Sequence, residues 1–191
     1  MLELDDIQHI LLTRTPAITG RYEFLSFDTA AGGRAWLTEL LEKVQSASAA
    51  QATMDASSRW VTLAFTWSGL KALGVSDDSL ASFPPEFREG MAARADVLGD
   101  TGLSAPQHWV GGLAGDDLHA IAILFSRTDE QYQRSITEHD KLLARTDGVR
   151  ALSHLDLNAT PPFNYAHDHF GSRDRLSQPA LKGAGEDPTP G

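Results

Sequence analysis

The sequence predicts an α+β sandwich of the ferredoxin-like type, with helices packed on one face of an antiparallel sheet. Three observations predict it. Four short segments have strand character, long helical periods follow the first and the third, and a helical insertion separates the second from the third. The resulting order is β-α-β, insertion, β-α-β.

The first strand is read over Arg21 to Phe27, where Tyr22 and Phe24 face one way and Leu25 and Phe27 the other. Asp28 or Thr29 offers a helix N-cap, and Trp36, Leu37, Leu40, Leu41 and Val44 then recur at helical spacing. Gly32 and Gly33 weaken the first turn of that helix. Residues 46–58 form a small-residue loop. Val61, Leu63 and Phe65 mark one face of a second strand. A short helix over Trp67 to Gly74 is closed by glycine, and more helix from Ser76 to Gly99 is interrupted at Pro84-Pro85. Gly102 to Asp117 reads as an irregular loop. Leu118 to Phe125 is almost wholly apolar, which predicts a strand covered on both faces. A last long helix runs over Asp129 to Asp147, Gly148 ends it, and Val149 to Leu155 forms the fourth strand. The expected core is Phe24, Leu40, Val61, Leu63, Ile121, Ile123, Ile136 and Leu152. After Asn158 the periodicity dissolves and proline recurs at Pro161, Pro162, Pro179, Pro188 and Pro190. The chain therefore divides into a folded unit over 1–158 and an irregular segment over 159–191.

Composition narrows the function. Hydrophobic residues make up 41% and charged residues 22% of 191, a globular balance for one domain. A formal charge of −10 argues against nucleic acid and anionic membranes as partners. Without cysteine there are no disulfides, thiolate ligands or Cys nucleophile. The acidic opening MLELDDIQHILL lacks the basic n-region of a signal peptide, no apolar run reaches membrane length, and cytoplasmic placement is the expectation.

The most specific local pattern is His169-Phe170-Gly171-Ser172-Arg173-Asp174-Arg175-Leu176-Ser177-Gln178-Pro179. It resembles the GxxDG motif of dye-decolorising peroxidases and the apolar-Ser-Gln-Pro stretch that follows it. Phe83 to Met91 (FPPEFREGM), Arg94 and Leu98-Gly99-Asp100 resemble the same family's insertion, and Asp5-Asp6-Ile7-Gln8 its usual opening. The resemblance spans nearly the whole chain. It implies a domain of the dimeric α+β barrel type, and a peroxidase using haem b and hydrogen peroxide to oxidise dyes or phenols. It implies Asp174 as the catalytic acid-base residue above the haem, with Arg175, Ser177 and Gln178 beside the cofactor. It also implies that the haem's histidine ligand and an assisting arginine belong to a C-terminal domain that this chain does not reach. Partners are then peroxide, a small aromatic substrate, and either a second copy or the C-terminal half.

A carboxylate suits that role because one group can take a proton from the near peroxide oxygen and return it to the far one. Arg175 departs from the motif by standing where the second glycine belongs, and His9 stands where the opening has glycine. The alternative reading is a haem-free remnant or dimerising interaction module; a small ferredoxin-like monooxygenase or dismutase relative leaves the GSRD…SQP segment unexplained. His119 and His154 read as satisfied sheet residues, His139 as a partly exposed helix residue, and His167-x-His169 as a spacing metals can use without a third partner. No metal site is assigned. Trp36 and Trp60 read as core, Trp109 as the tryptophan most open to solvent, and Glu86 to Arg94 as a solvated helix face.

Overall fold

The computed structural model describes residues 2–12, 19–48 and 59–158. Four strands, β1 (Thr19–Phe27), β2 (Arg59–Phe65), β3 (Ala120–Ser126) and β4 (Val149–Asn158), form one antiparallel sheet in the order β2-β3-β1-β4. Helix α1 (Ala30–Leu41) follows β1 and α6 (Asp129–Arg145) follows β3. The expected element order and antiparallel sheet are both present. Between β2 and β3 the insertion carries α2 (Trp67–Ala72), α3 (Asp77–Ala81), α4 (Pro85–Ala93), α5 (Ala95–Leu98) and three 3-10 turns.

Local chemistry sets the boundaries. Thr29, Thr66, Ser76 and Thr128 cap α1, α2, α3 and α6, each side-chain oxygen accepting from a first-turn N–H. Pro85 opens α4, where its missing donor costs nothing, and Gly148 (φ 81°) turns the chain from α6 into β4. Neither α4 nor α5 contains a buried residue, as the alternating charges of Glu86 to Arg94 predict.

The core lies between the sheet and the two long helices: Leu25, Phe27, Trp36, Leu40, Leu63, Leu73, Ala120, Ala122 and Leu142. This corrects the expected core in part. Leu40, Leu63 and Phe24 are buried and Val61 packs against the core, but Ile121, Ile123, Ile136 and Leu152 are only half-buried. The reason is the phase of β3. Ala120, Ala122 and Leu124 point at the helices, whereas Ile121, Ile123 and Phe125 take the opposite face, so β3 is fully buried on the helix side and half-buried on the other. Phe24 belongs to that second face, opposite Ile121 in register.

The β2 flank of the sheet is tied down by close contact along its edge and at its end. On the β2 flank, the Gln8 side chain behaves as a strand residue: its Nε2 donates to the Leu63 carbonyl at 2.8 Å and its Oε1 accepts from the Leu63 N–H at 2.9 Å. Gln45 Nε2 donates to the Arg59 carbonyl, and Val44 bridges to Val61. The outward rim of β2 is thereby satisfied without a further strand. At the other end of β2, the α2 backbone lies so near the His119 carbonyl that a Cβ on Gly69 would collide with it. Gly69→Ala is expected to lower stability by about 2–3 kcal/mol, an overpacking penalty against rigid backbone. Urea unfolding followed by tryptophan fluorescence checks it, and an unchanged midpoint would show that α2 can slide.

Candidate functional site

Asp174, Arg175, Ser177 and Gln178, the residues that the sequence marks for chemistry, lie outside the described residues, as do His167 and His169. The described residues form the platform from which that segment departs: β4 runs in register with β1 to the pair Thr19–Asn158.

A cluster of ionisable side chains occupies the helix-covered face near this end. Strand alternation puts Arg21 and Glu23 on the same face as Leu25 and Phe27. Arg21 donates to both oxygens of Asp156 on β4, at 2.7 and 3.2 Å. That bidentate contact, against the opposing effect of burial, holds the Asp156 carboxyl below the usual carboxylate range. Glu23 is 4% exposed. Burial pushes its carboxyl up, opposed by the Arg21 guanidinium, whose Nη1 stands 3.7 Å from Oε2 and outside hydrogen-bond range. Tyr132 on α6 is pushed up to about 12, chiefly by burial and then by Asp156, beside which its hydroxyl lies without closing a hydrogen bond of normal geometry. His154, half-exposed, stands 4.0 Å from Asp156.

This cluster was not anticipated from the sequence, although its signal was there. Two charged residues alternate with Tyr22 and Phe24 and share the phase of two core residues, which is unusual for a covered strand face.

The histidines divide by task. His139 is buried (3% exposed), correcting the expectation of a partly exposed residue: it falls seven positions after Tyr132 and three before Leu142, on the stripe of α6 that meets the sheet. Its Nε2 accepts from Trp36 Nε1 at 3.2 Å, so the neutral ring carries its proton on Nδ1. Desolvation depresses its pKa to about 4. His119 precedes β3, and its Nδ1 accepts the Phe27 N–H at 2.8 Å, doing the work of a backbone carbonyl where β1 ends. His9 is fully buried, its backbone N–H on the Gln45 carbonyl. His108 and His154 are exposed. Trp36 and Trp60 are core, as read from sequence, and Trp109 is half-buried with its Nε1 donating to the Ser104 carbonyl.

A groove of about 380 Å³ opens between α1, β2 and α6, with Leu40, Val61 and Leu124 as its apolar floor. On its rim Glu138 gathers Arg59 and Arg134, each at 2.9 Å, with Lys43 at 3.8 Å. Burial raises the Glu138 carboxyl, but those hydrogen bonds and charges outweigh it and leave it lowered. Among the described residues no three His, Cys, Asp or Glu converge as a metal site. Trp36 and His139, both buried, occupy each other, and His119 is spent on backbone. Neither of these two imidazoles is therefore free to ligate haem iron.

Comparison with known proteins places this fold. A model of the DyP dimeric alpha+beta barrel domain matches residues 28–156. Dye-decolorizing peroxidase msp1 of Mycetinis scorodonius is 30% identical over 184 residues, covering 95% of this chain and 34% of the relative. Among solved structures, an ancestral D-type dye decolorizing peroxidase superposes with a TM-score of 0.83 at 27% identity, over 100% of this chain and 42% of that one. A dye-decolorizing peroxidase in complex with 2,6-dimethoxyphenol superposes with a TM-score of 0.78 at 26% identity, over 99% and 41%. The chain thus spans about a third of the length of the sequence relatives and two fifths of the solved structures.

The depressed pKa of His139 has a pH consequence. The folded state binds this proton less tightly than the unfolded chain, so the stabilising contribution is complete above about pH 6.5 and is lost as pH falls through about 4. The full swing is about 3 kcal/mol for a shift of this size. His139→Gln keeps an acceptor for Trp36 and does not titrate. Its stability is expected to fall less steeply than the parent's between pH 6.5 and 4, measured as unfolding free energy at each pH. Parallel curves would assign acid sensitivity to other groups.

Proposed function

The chain belongs to the dye-decolorising peroxidase family, and from that premise we propose that it is the N-terminal domain of a haem peroxidase that uses hydrogen peroxide to oxidise dyes or small phenols. The observation that carries the proposal is the joint occurrence, in one chain, of the family's α+β domain over 28–156 and the segment Gly171 to Pro179. In this reading residues 1–158 are the folded platform and 159–191 deliver the distal motif to the cofactor.

Haem b would supply the electrons and the binding position for peroxide. The contribution of this chain is proton handling. Asp174, ionised, accepts a proton from one peroxide oxygen and returns it to the other, which lowers the barrier to O–O heterolysis. Arg175, Ser177 and Gln178 would line the cofactor, and the histidine that would hold its iron and an assisting arginine would come from the remainder of the protein. That division agrees with the tasks of the described histidines, each of which either supports the fold or stands at the surface. One observation favours the second reading, a haem-free remnant or dimerising module: Arg175 replaces a glycine of the motif, putting a long side chain where the family pattern has none.

Two measurements test the proposal. In the protein extended by its C-terminal half, Asp174→Asn should retain haem and lose about 10²–10⁴ in the rate of the first peroxide oxidation step, the usual worth of a general acid-base group. Rapid-mixing spectroscopy reads that step, and an Asn variant as fast as its parent would remove Asp174 from the role. Haem titrated into the 191-residue chain alone should give no absorption change that depends on one histidine. A Soret band abolished by a single His→Ala substitution would overturn the assignment of the ligand to the missing half.

A further inference from the structure

Under the first three turns of α6 runs a line of buried polar atoms that close no hydrogen bond of normal geometry within the protein, although Glu23 faces Arg21 and the Tyr132 hydroxyl lies beside Asp156. The register sets Thr19 opposite Ser126 and Glu23 opposite Ala122, all on the helix-covered face. Tyr132 and His139 project from the stripe of α6 that packs on that face. The five polar residues are 5% (Thr19), 4% (Glu23), 0% (Ser126), 6% (Tyr132) and 3% (His139) exposed. In each, one side-chain atom is buried without a hydrogen-bond partner: Thr19 Oγ1, Glu23 Oε2, Ser126 Oγ, Tyr132 OH and His139 Nδ1.

A buried polar atom left unpaired typically lowers the ratio of folded to unfolded protein about five- to a hundredfold. Five together would rival the whole margin by which a domain is stable. The set is also chemically mixed. His139 Nδ1 carries a proton and can only donate, because Nε2 already accepts from Trp36. The three hydroxyls both donate and accept. Glu23 accepts when ionised and donates when protonated. Arg21, between Thr19 and Glu23 on the same strand face, is turned to Asp156 and lies 3.7 Å from Glu23 Oε2. A ligand serving all five must donate and accept at once and fit beneath a helix.

We propose that the seam between β1 and α6 is a buried hydration site. Ordered water molecules bind at two levels along the seam. Thr19 Oγ1, Ser126 Oγ and Tyr132 OH are the ligands near the start of α6; Glu23 Oε2 and His139 Nδ1 are the ligands further along it. Water meets the requirement because each molecule makes two to four hydrogen bonds of either sense, and buried waters occur at about one per 27 residues. The site makes the polar half of this helix–sheet interface a structural element in its own right, beside the dry half formed by Trp36, Leu142 and the alanines of β3.

Removing a ligand without changing shape separates the hydrated seam from a dry one. In Thr19→Val and Ser126→Ala of the full chain, the ratio of folded to unfolded protein, from urea unfolding at neutral pH, should fall about fivefold or more, because a bound water loses a partner. If the hydroxyls are unpaired in a dry seam, both substitutions raise that ratio and the proposal fails. Diffraction to a resolution that shows waters gives an independent readout. Density within about 2.6–3.2 Å of at least two of the five atoms is expected. A direct contact between Glu23 and His139 with no intervening density would overturn the site.

Discussion

Trp36 can lie fully buried over the sheet because the strand beneath it is made of alanine. Ala120 and Ala122, both inaccessible to solvent, leave room for one indole, one phenyl ring and two leucines to reach the strand backbone: Phe27 meets Trp36 with centroids 5.6 Å apart, and Leu40 and Leu142 close the sides. The glycines repeat the device at the periphery. A Cβ on Gly32 would meet the Asp147 carbonyl, and one on Gly69 the carbonyl of His119. Interiors pack at crystal density. Small residues at these contacts therefore fix how near each helix stands to the sheet, and the rest of the architecture follows from that distance.

The same spacing explains why the interface is divided. Where alanine faces the indole, the seam is apolar and closed. Toward the start of α6 the strand residues become Thr19, Arg21, Glu23 and Ser126, and the helix residues Tyr132 and His139. Burying a charged or polar group demands a partner. Arg21 finds Asp156, and Trp36 finds His139. The Arg21–Asp156 contact binds β1 to the last strand just before the chain continues toward the motif. A polar interior at this end therefore anchors β4 more than it adds stability, since the same volume of apolar side chains would be at least as stabilising.

Much of this was legible in the sequence. All four strands and both long helices follow from periodicity, the cap of α1 from Thr29, the end of α6 from Gly148, and the start of α4 from the Pro84-Pro85 break. The failures share one cause. Ile121 and Ile123 were assigned to the core over Ala120 and Ala122 because hydrophobicity measures what a side chain would gain from burial. It does not measure which face needs room. Gly32 and Gly33 read as helix-weakening for the same reason: propensity is local, and the Asp147 carbonyl that demands Gly32 is distant in sequence. His139 reads from sequence as a partly exposed helix residue, yet the helical stripe from Tyr132 to Leu142 passes through it. The candidate site divides in the same way. Asp174 rests on a motif alone, whereas the Arg21–Glu23–Asp156 cluster required knowing which strand faces lie beneath a helix.

Histidine usage gives the last step. A residue that is to bind a metal through a ring nitrogen must keep that nitrogen free of protons and of other partners. In this domain the imidazoles of buried His139 and half-buried His119 are committed: His139 Nε2 receives the Trp36 indole N–H, and His119 Nδ1 receives the Phe27 amide where β1 ends. Desolvation holds both rings below the ordinary histidine range, so each stays neutral and keeps its acceptor at neutral pH. Recruiting either as a ligand would leave a buried N–H unsatisfied and loosen the contact between α1 and α6 or the end of β1. These two rings are thereby structural elements, fixing α1 against α6 and closing the end of β1, rather than ligands held in reserve.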